Sequence, residues 1–269
     1  MQTDQTTNIT PTSGGAKTKK GKPQSLSAAA AGCTGELSPI ALKCIMKCMW
    51  VGRYCRDDLL RCVNALATRI TKWDSRDDEK LTRMMAYMNS TKDWRKIGFI
   101  GDSLKDLRLV LYTDANFAGD HSDLTSTSGG FLCIWGAHSF FPLGALAQKH
   151  TCQSLSTTEA ETLSAVHGTK KLGYPALDFW EKVFGECIKI DMFQDNQATM
   201  RVLQTGKAPT LRHFPRAHGV SLKWIFGAVK QHANLCDCNT DVMAADIFTK
   251  HFLNEEKWVA ACKLIGIVS

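Results

Sequence analysis

The sequence predicts a mixed α/β fold, in which one five-stranded central sheet is flanked by helices and preceded by a small helical module. Three observations lead there. Five stretches of strand length and pattern follow residue 105, near 109–112, 127–135, 138–146, 188–192 and 234–238. Segments of helical period separate or follow the later strands, near 157–170, 197–204, 216–230, 242–250 and 254–264. Strand-strand-strand-helix-strand-helix order builds a single sheet with helices packed on it. Finally, the region from Pro39 to about Ser90 has helical spacing and no strand pattern.

The elements follow in order. Residues 1–37 are rich in Thr, Ser, Gly, Ala and Lys, with almost no large apolar side chains. Such a segment buries too little surface to offset its ordering entropy, so a disordered tail is expected. Its cluster Lys17-Thr18-Lys19-Lys20-Gly21-Lys22 could touch nucleic acid, a solvated tail being the plainer reading. Residues 38–104 form the helical module. Ile45, Cys48, Met49, Val51 and Cys55 recur mostly at spacings of three and four. Asp57 and Asp58 offer an N-cap, after which Leu59, Cys62, Val63, Leu66 and Ile70 continue on one face. A third helix runs from Asp77 to Met88. Residues 105–269 hold the α/β domain. Leu109-Val110-Leu111-Tyr112 is continuously apolar, as in a strand buried on both faces. Gly136-Ala137 suits a hairpin between the second and third strands. Ile188-Lys189-Ile190-Asp191-Met192 alternates in the strand period. The tryptophans Trp135, Trp180, Trp224 and Trp258 are assigned to the core.

The bulk numbers narrow the class. Hydrophobic residues make up 44% of 269, enough for a core. A formal charge of +7 is modest; it fits a solvated surface and also a polyanionic partner. Eleven cysteines without a signal peptide or CxxC pair read as reduced thiols of an intracellular, cytoplasmic protein. The most apolar run, 131–147, is broken by His138, Ser139 and Pro142, so no membrane span is expected.

Four carboxylates carry the candidate chemistry. Asp114 follows the apolar strand, and Asp195 ends the strand that begins at Ile188. Carboxyl ends of sheet strands are where α/β sites form. Ser156-Thr157-Thr158-Glu159 fits a capping box, which gives Glu159 a structural task. Glu161 lies further into that helix and shares a face with Ser164, Ala165 and Gly168. Small residues there let the helix approach the sheet closely. Asp246 stands in a late helix amid Met243, Ala244, Ala245, Ile247 and Phe248. Converging acidic groups repel one another unless metal is bound, and all-oxygen donors suit hard Mg²⁺. Two such ions can activate water and neutralise a leaving oxyanion at a phosphodiester. His218, near His213 and Arg216, could shuttle a proton; a capping histidine is the plainer alternative. Lys149, Lys207, Arg212, Arg216 and Lys223 are candidate phosphate contacts.

These residues also carry a family resemblance. Tyr112-Thr113-Asp114-Ala115-Asn116-Phe117-Ala118-Gly119 resembles the opening of the ribonuclease H domain of copia-type LTR retrotransposons. Ser126-Thr127-Ser128-Gly129, Ser156-Thr157-Thr158-Glu159-Ala160-Glu161, Asp195-Asn196-Gln197, Pro215-Arg216-Ala217-His218 and Ala245-Asp246-Ile247-Phe248-Thr249-Lys250 resemble its later motifs, in order, over about residues 109–252. Arg56-Asp57-Asp58-Leu59-Leu60 and Ser90-Thr91-Lys92-Asp93 resemble the segment linking reverse transcriptase to ribonuclease H. Departures occur at Asp57, where the family has proline, at Gly130-Phe131, and at Pro215-Arg216.

The resemblance implies a ribonuclease H-like fold over 105–269 and a connection segment over 38–104. It implies an endoribonuclease that cleaves the RNA strand of RNA–DNA hybrids as part of a retrotransposon Pol polyprotein. Asp114, Glu161, Asp195 and Asp246 would hold two Mg²⁺, with Mn²⁺ able to substitute. The partners implied are the hybrid and the reverse transcriptase of the same polyprotein, in an intracellular particle when the element is active. No Tyr-x-Asp-Asp polymerase motif occurs. The alternatives are an inactive nucleic-acid-binding remnant and, less well matched, a DNA nuclease of the integrase or resolvase kind.

Overall fold

Each residue of the run Leu109–Tyr112 is buried, and the run splits evenly between two cores. That division organises the computed structural model, which describes residues 34–119 and 124–269. Most of the expected tail, residues 1–33 with its lysine cluster, lies outside the described residues. The remainder is tied to the module: Thr34 bridges Asp74, and the Leu37 amide donates to Asp78 at 3.2 Å.

Three helices come first: α1 (Ser38–Tyr54), α2 (Leu60–Ala67) and α3 (Ser75–Ser90). Asp74 caps α3 in a reciprocal capping box with Asp77. A short β1 (Arg95–Lys96) leads to the meander β2 (Arg108–Asn116), β3 (Thr127–Gly136) and β4 (Ser139–Lys149). Next come α4 (Thr157–Gly168), a π-helical turn over Thr169–Gly173, and α5 (Tyr174–Phe184). The chain continues through β5 (Ile190–Gln194), α6 (Gln197–Thr205), α7 (Phe214–His218), α8 (Leu222–His232) and β6 (Ala233–Asp237). A 3-10 turn (Ala244–Phe248), α9 (Glu255–Leu264) and β7 (Ile267–Val268) close it.

The sheet is mixed and five-stranded, in the order β4-β3-β2-β5-β6. The meander is antiparallel, whereas β5 and β6 join β2 in parallel. This is the mixed five-stranded sheet flanked by helices that the sequence predicts. Leu109, Leu111 and Leu132 face the core built with α4, α6 and α8. Val110, Tyr112, Phe131 and Cys133 face the opposite core. There they meet Ile45, Val63, Leu66 and Leu81 of the module, the 3-10 turn, and Cys262 of α9. The helical module is therefore a cover for one face of the sheet. Polar ties reinforce it: the Asn64 amide donates to Ala147 O at 2.9 Å.

Several elements differ from expectation. Helix α5, which follows α4 after an interruption at Thr169–Gly173, lies in a stretch where no element is expected. The π-helical turn absorbs the interruption, and Pro175 falls in the first turn of α5, where its missing N–H costs little. The helix expected over 216–230 divides at Gly219, whose φ of 66° ends α7. The segment 242–250 is 3-10 rather than α-helical. Asp57 and Asp58 do not cap α2; Asp58 accepts from Arg56 at 2.8 Å and from the Tyr87 hydroxyl at 2.8 Å. Trp135 is 40% exposed near the hairpin, not core. The β1–β7 pair was also unforeseen, since two-residue strands carry no readable period.

Candidate functional site

Parallel pairing of β2 with β5 brings their carboxyl ends together, and with them Asp114 and Asp195. Asp246 arrives from the 3-10 turn. Carboxylate oxygens of Asp114, Asp195 and Asp246 lie within 4.8 Å of one another.

Close packing on both sides makes this possible. Glycine at 129 lets the turn carrying Asp246 approach β3: an added Cβ would meet Thr249 Cγ2 at 2.6 Å and Ala245 O at 2.8 Å. On the opposite face, a Cβ at Gly168 would meet Thr113 Cγ2 at 2.6 Å, so α4 rests almost directly on β2. The Ser164 hydroxyl fixes that approach by donating to Asp114 O at 2.6 Å and Gly129 O at 3.1 Å. Glu161 is thereby buried beside the aspartates, although its Oε2 accepts the Gln194 amide at 3.0 Å. Gln194 in turn accepts from the Thr113 hydroxyl at 3.2 Å. Asp195 accepts from Thr240 at 3.2 Å.

Charge accumulates here beyond what the protein neutralises. Burial, outweighing a hydrogen bond from Thr249 and the charge of Lys250, raises the Asp114 carboxyl above its usual range. Burial and then the Asp114 charge push Glu161 up to about 9. The same two causes, against the Lys250 bond, push Asp246 up to about 7. Lys250 donates to Asp246 Oδ2 at 2.7 Å, while Asp246 Oδ1 is buried with no hydrogen-bond partner. An orphaned carboxylate oxygen within an all-oxygen donor set fits a hard divalent cation.

Glu159, two residues before Glu161 on α4, has partners of its own. Ser156 caps α4 by accepting the Glu159 amide at 3.1 Å. The reciprocal bond goes one residue further back, from the Leu155 amide to Glu159 at 2.8 Å. Glu159 also meets His213 Nε2 at 3.0 Å and His218 Nε2 at 2.7 Å. Burial opposes the charge on Glu159, but these hydrogen bonds outweigh it and hold the carboxyl low. The second ring nitrogen of His218 lies 3.3 Å from Cys152 Sγ, and its side chain is 1% exposed. Both nitrogens of the candidate shuttle thus face Glu159 and Cys152.

The basic candidates divide. Lys207, Arg212 and Lys223 border one shallow groove of about 440 Å³. Arg216 is exposed on α7, and Lys149 is half-buried at the end of β4. Sequence reasoning missed Gln194, Thr249, Lys250 and Arg61. Thr249, whose hydroxyl donates to the Asp114 carboxylate, and Lys250 stand within the quoted motif. Arg61 has no local signal; from α2 its Nε donates to Thr249 O at 3.0 Å.

A pH signature follows. A buried carboxyl with a raised pKa holds its proton more tightly folded than unfolded, so stability falls as pH rises through the window between the two values. For Glu161 that window runs from its ordinary 4.5 to about 9. His150 and His167 work oppositely, mainly through burial, with pKa values of about 3 and about 4 against an ordinary 6.5. Their effect is lost as pH rises past about 7, where both states hold them neutral. The metal-free Tm is therefore expected to fall between about pH 7 and 9, and Glu161→Gln to flatten that slope. Thermal melts in EDTA measure it; an equal slope in the variant would contradict the burial of Glu161.

No family model matches the chain. Solved structures that resemble it include a ribonuclease H1 isolated from compost by a metagenomic approach. It is 15% identical, with a TM-score of 0.37 over 53% of this chain and 92% of that one. The N-terminal ribonuclease H domain of a Mycobacterium tuberculosis protein is 16% identical, with a TM-score of 0.35 over 58% and 97% respectively. The NurA nuclease of Sulfolobus solfataricus is 7% identical, with a TM-score of 0.32 over 75% and 66%.

Proposed function

We propose that the chain is a metal-dependent endoribonuclease that cleaves the RNA strand of RNA–DNA hybrids. The convergence of Asp114, Asp195 and Asp246 on one point carries this reading. Asp114, Asp195 and Asp246, with Glu161 beside them, would hold two Mg²⁺. Bound there, the ions would supply an activated water and neutralise the leaving 3′-oxyanion. The protein's own groups do the positioning. Gln194 orients Glu161, Thr249 orients Asp114, and Lys250 offsets part of the charge of Asp246. The groove edged by Lys207, Arg212 and Lys223 offers contacts to a phosphate backbone, recognised by shape rather than base sequence.

The ordered motifs support an origin in a copia-type Pol polyprotein, with residues 38–104 as its connection segment and reverse transcriptase as its covalent partner. No helix among the described residues is long and apolar enough to cross a membrane.

The direct test is cleavage of a labelled hybrid in Mg²⁺ and then Mn²⁺, beside Asp195→Asn. The parent is expected to leave 5′-phosphate and 3′-hydroxyl ends, and the variant to be at least about 100-fold slower. A folded parent that binds hybrid but cleaves in neither metal would be the inactive remnant. Cleavage of duplex DNA instead would indicate the integrase- or resolvase-like reading.

A further inference from the structure

We propose that a basic cleft at the other end of the sheet from the carboxylates is a second nucleic-acid site, one that takes a single strand. The cleft measures about 740 Å³ and lies between the C-terminal ends of α1 and α3, the β1 segment and the first half of β4. Along β4, Phe141 at the cleft is six residues from Ala147, which neighbours Gly129 and hence Asp114. That separation is about 20 Å along the strand.

Five cations line the cleft and no carboxylate does. Two of them are committed to the structure beneath. The guanidinium of Arg56 binds Asp58 at 2.8 Å and Thr91 O at 2.9 Å. Lys96 Nζ lies 2.7 Å from Asp57. The other three, Arg53, Lys92 and Arg95, are exposed and form no ion pair among the described residues. Their charge is available to an anion.

Aromatic rings stand among them. Tyr54 is 64% exposed and Phe141 42% exposed, both on the cleft wall. Trp50, 63% exposed, extends the row one helical turn back, its ring centroid 5.3 Å from that of Tyr54. Exposing such rings is costly unless something covers them. Free cations interleaved with exposed rings are the chemistry of single-strand binding, in which phosphates meet the charges and unpaired bases stack. A duplex hides its base faces and could use only the cations. An anionic membrane would need these groups on a convex or flat face, whereas the cations here line a concavity.

This proposal does not depend on the cleavage reading. The experiment is fluorescence anisotropy of a labelled oligothymidylate of about 12 nucleotides, titrated in EDTA so that hydrolysis plays no part. The parent is expected to bind with a log–log salt slope of about −2, as for three phosphate contacts on a single strand. The triple variant Arg53→Ala/Lys92→Ala/Arg95→Ala should bind at least about tenfold more weakly, with a shallower slope. Tyr54→Ala should lose about fivefold or more on the oligonucleotide and nothing on an abasic strand of equal length. All four side chains are exposed, and unchanged thermal melts will show that the variants fold. The proposal is overturned by a parent that does not bind, by a triple variant that matches it, or by equal losses on the abasic strand. Binding to phosphatidylserine vesicles without binding to the oligonucleotide overturns it too.

Discussion

Asp114→Asn is expected to lower hybrid cleavage by at least about 100- to 1000-fold while leaving the fold in place. The substitution keeps the shape of the side chain and can still accept the Thr249 hydroxyl. What it removes is negative charge at the centre of the group, where Asp114 raises the pKa of both Glu161 and Asp246. Two consequences point in opposite directions. Without metal, the variant should gain stability relative to the parent as pH rises, because it has no buried, mutually repelled carboxyl left to ionise there. With Mg²⁺, the parent should gain stability by linkage and the variant much less. Single-turnover cleavage together with melts in EDTA and in Mg²⁺ separates a lost ligand from a damaged fold. Undiminished cleavage by the variant would end the assignment of this site.

Phe131→Ala should cost about 3–5 kcal/mol of unfolding free energy. Its side chain is fully buried and its ring lies 6.3 Å from Phe140, 6.3 Å from Phe248 and 6.4 Å from Tyr112. Phe248 belongs to the turn that carries Asp246, so a cavity here should also weaken metal binding without touching a carboxylate. Trp135→Ala, on the same strand but 40% exposed, should cost less than about 1 kcal/mol. Urea unfolding of both variants decides the matter. Equal small losses would mean that the module and the sheet do not share one continuous core.

Much of the site was legible because strand patterns and short motifs are local. The apolar run before Asp114 implied a strand buried on both faces, and Leu109, Val110, Leu111 and Tyr112 are buried alternately on the two. The choice of Glu161 over Glu159 came from a cap and a row of small residues, and both are present around Ser156 and Ser164. Helix α5 stayed hidden because a π-helical turn, which has no sequence period of its own, separates it from α4.

Local chemistry in the chain determined the sheet strands, the Ser156 cap of α4, the four candidate carboxylates and the charge that suits a polyanion. Tertiary structure alone decided which groups meet. Arg61 reaches Thr249 across 188 residues, and Thr249 reaches Asp114 across 135. His218, read as a possible shuttle, is drawn to Glu159 from 59 residues away. The cations of the cleft likewise come from α1, the end of α3 and β1. Such long-range pairings depend on how elements pack, not on periodicity or spacing along the chain. A window of neighbouring residues can therefore name the groups but cannot say which of them touch.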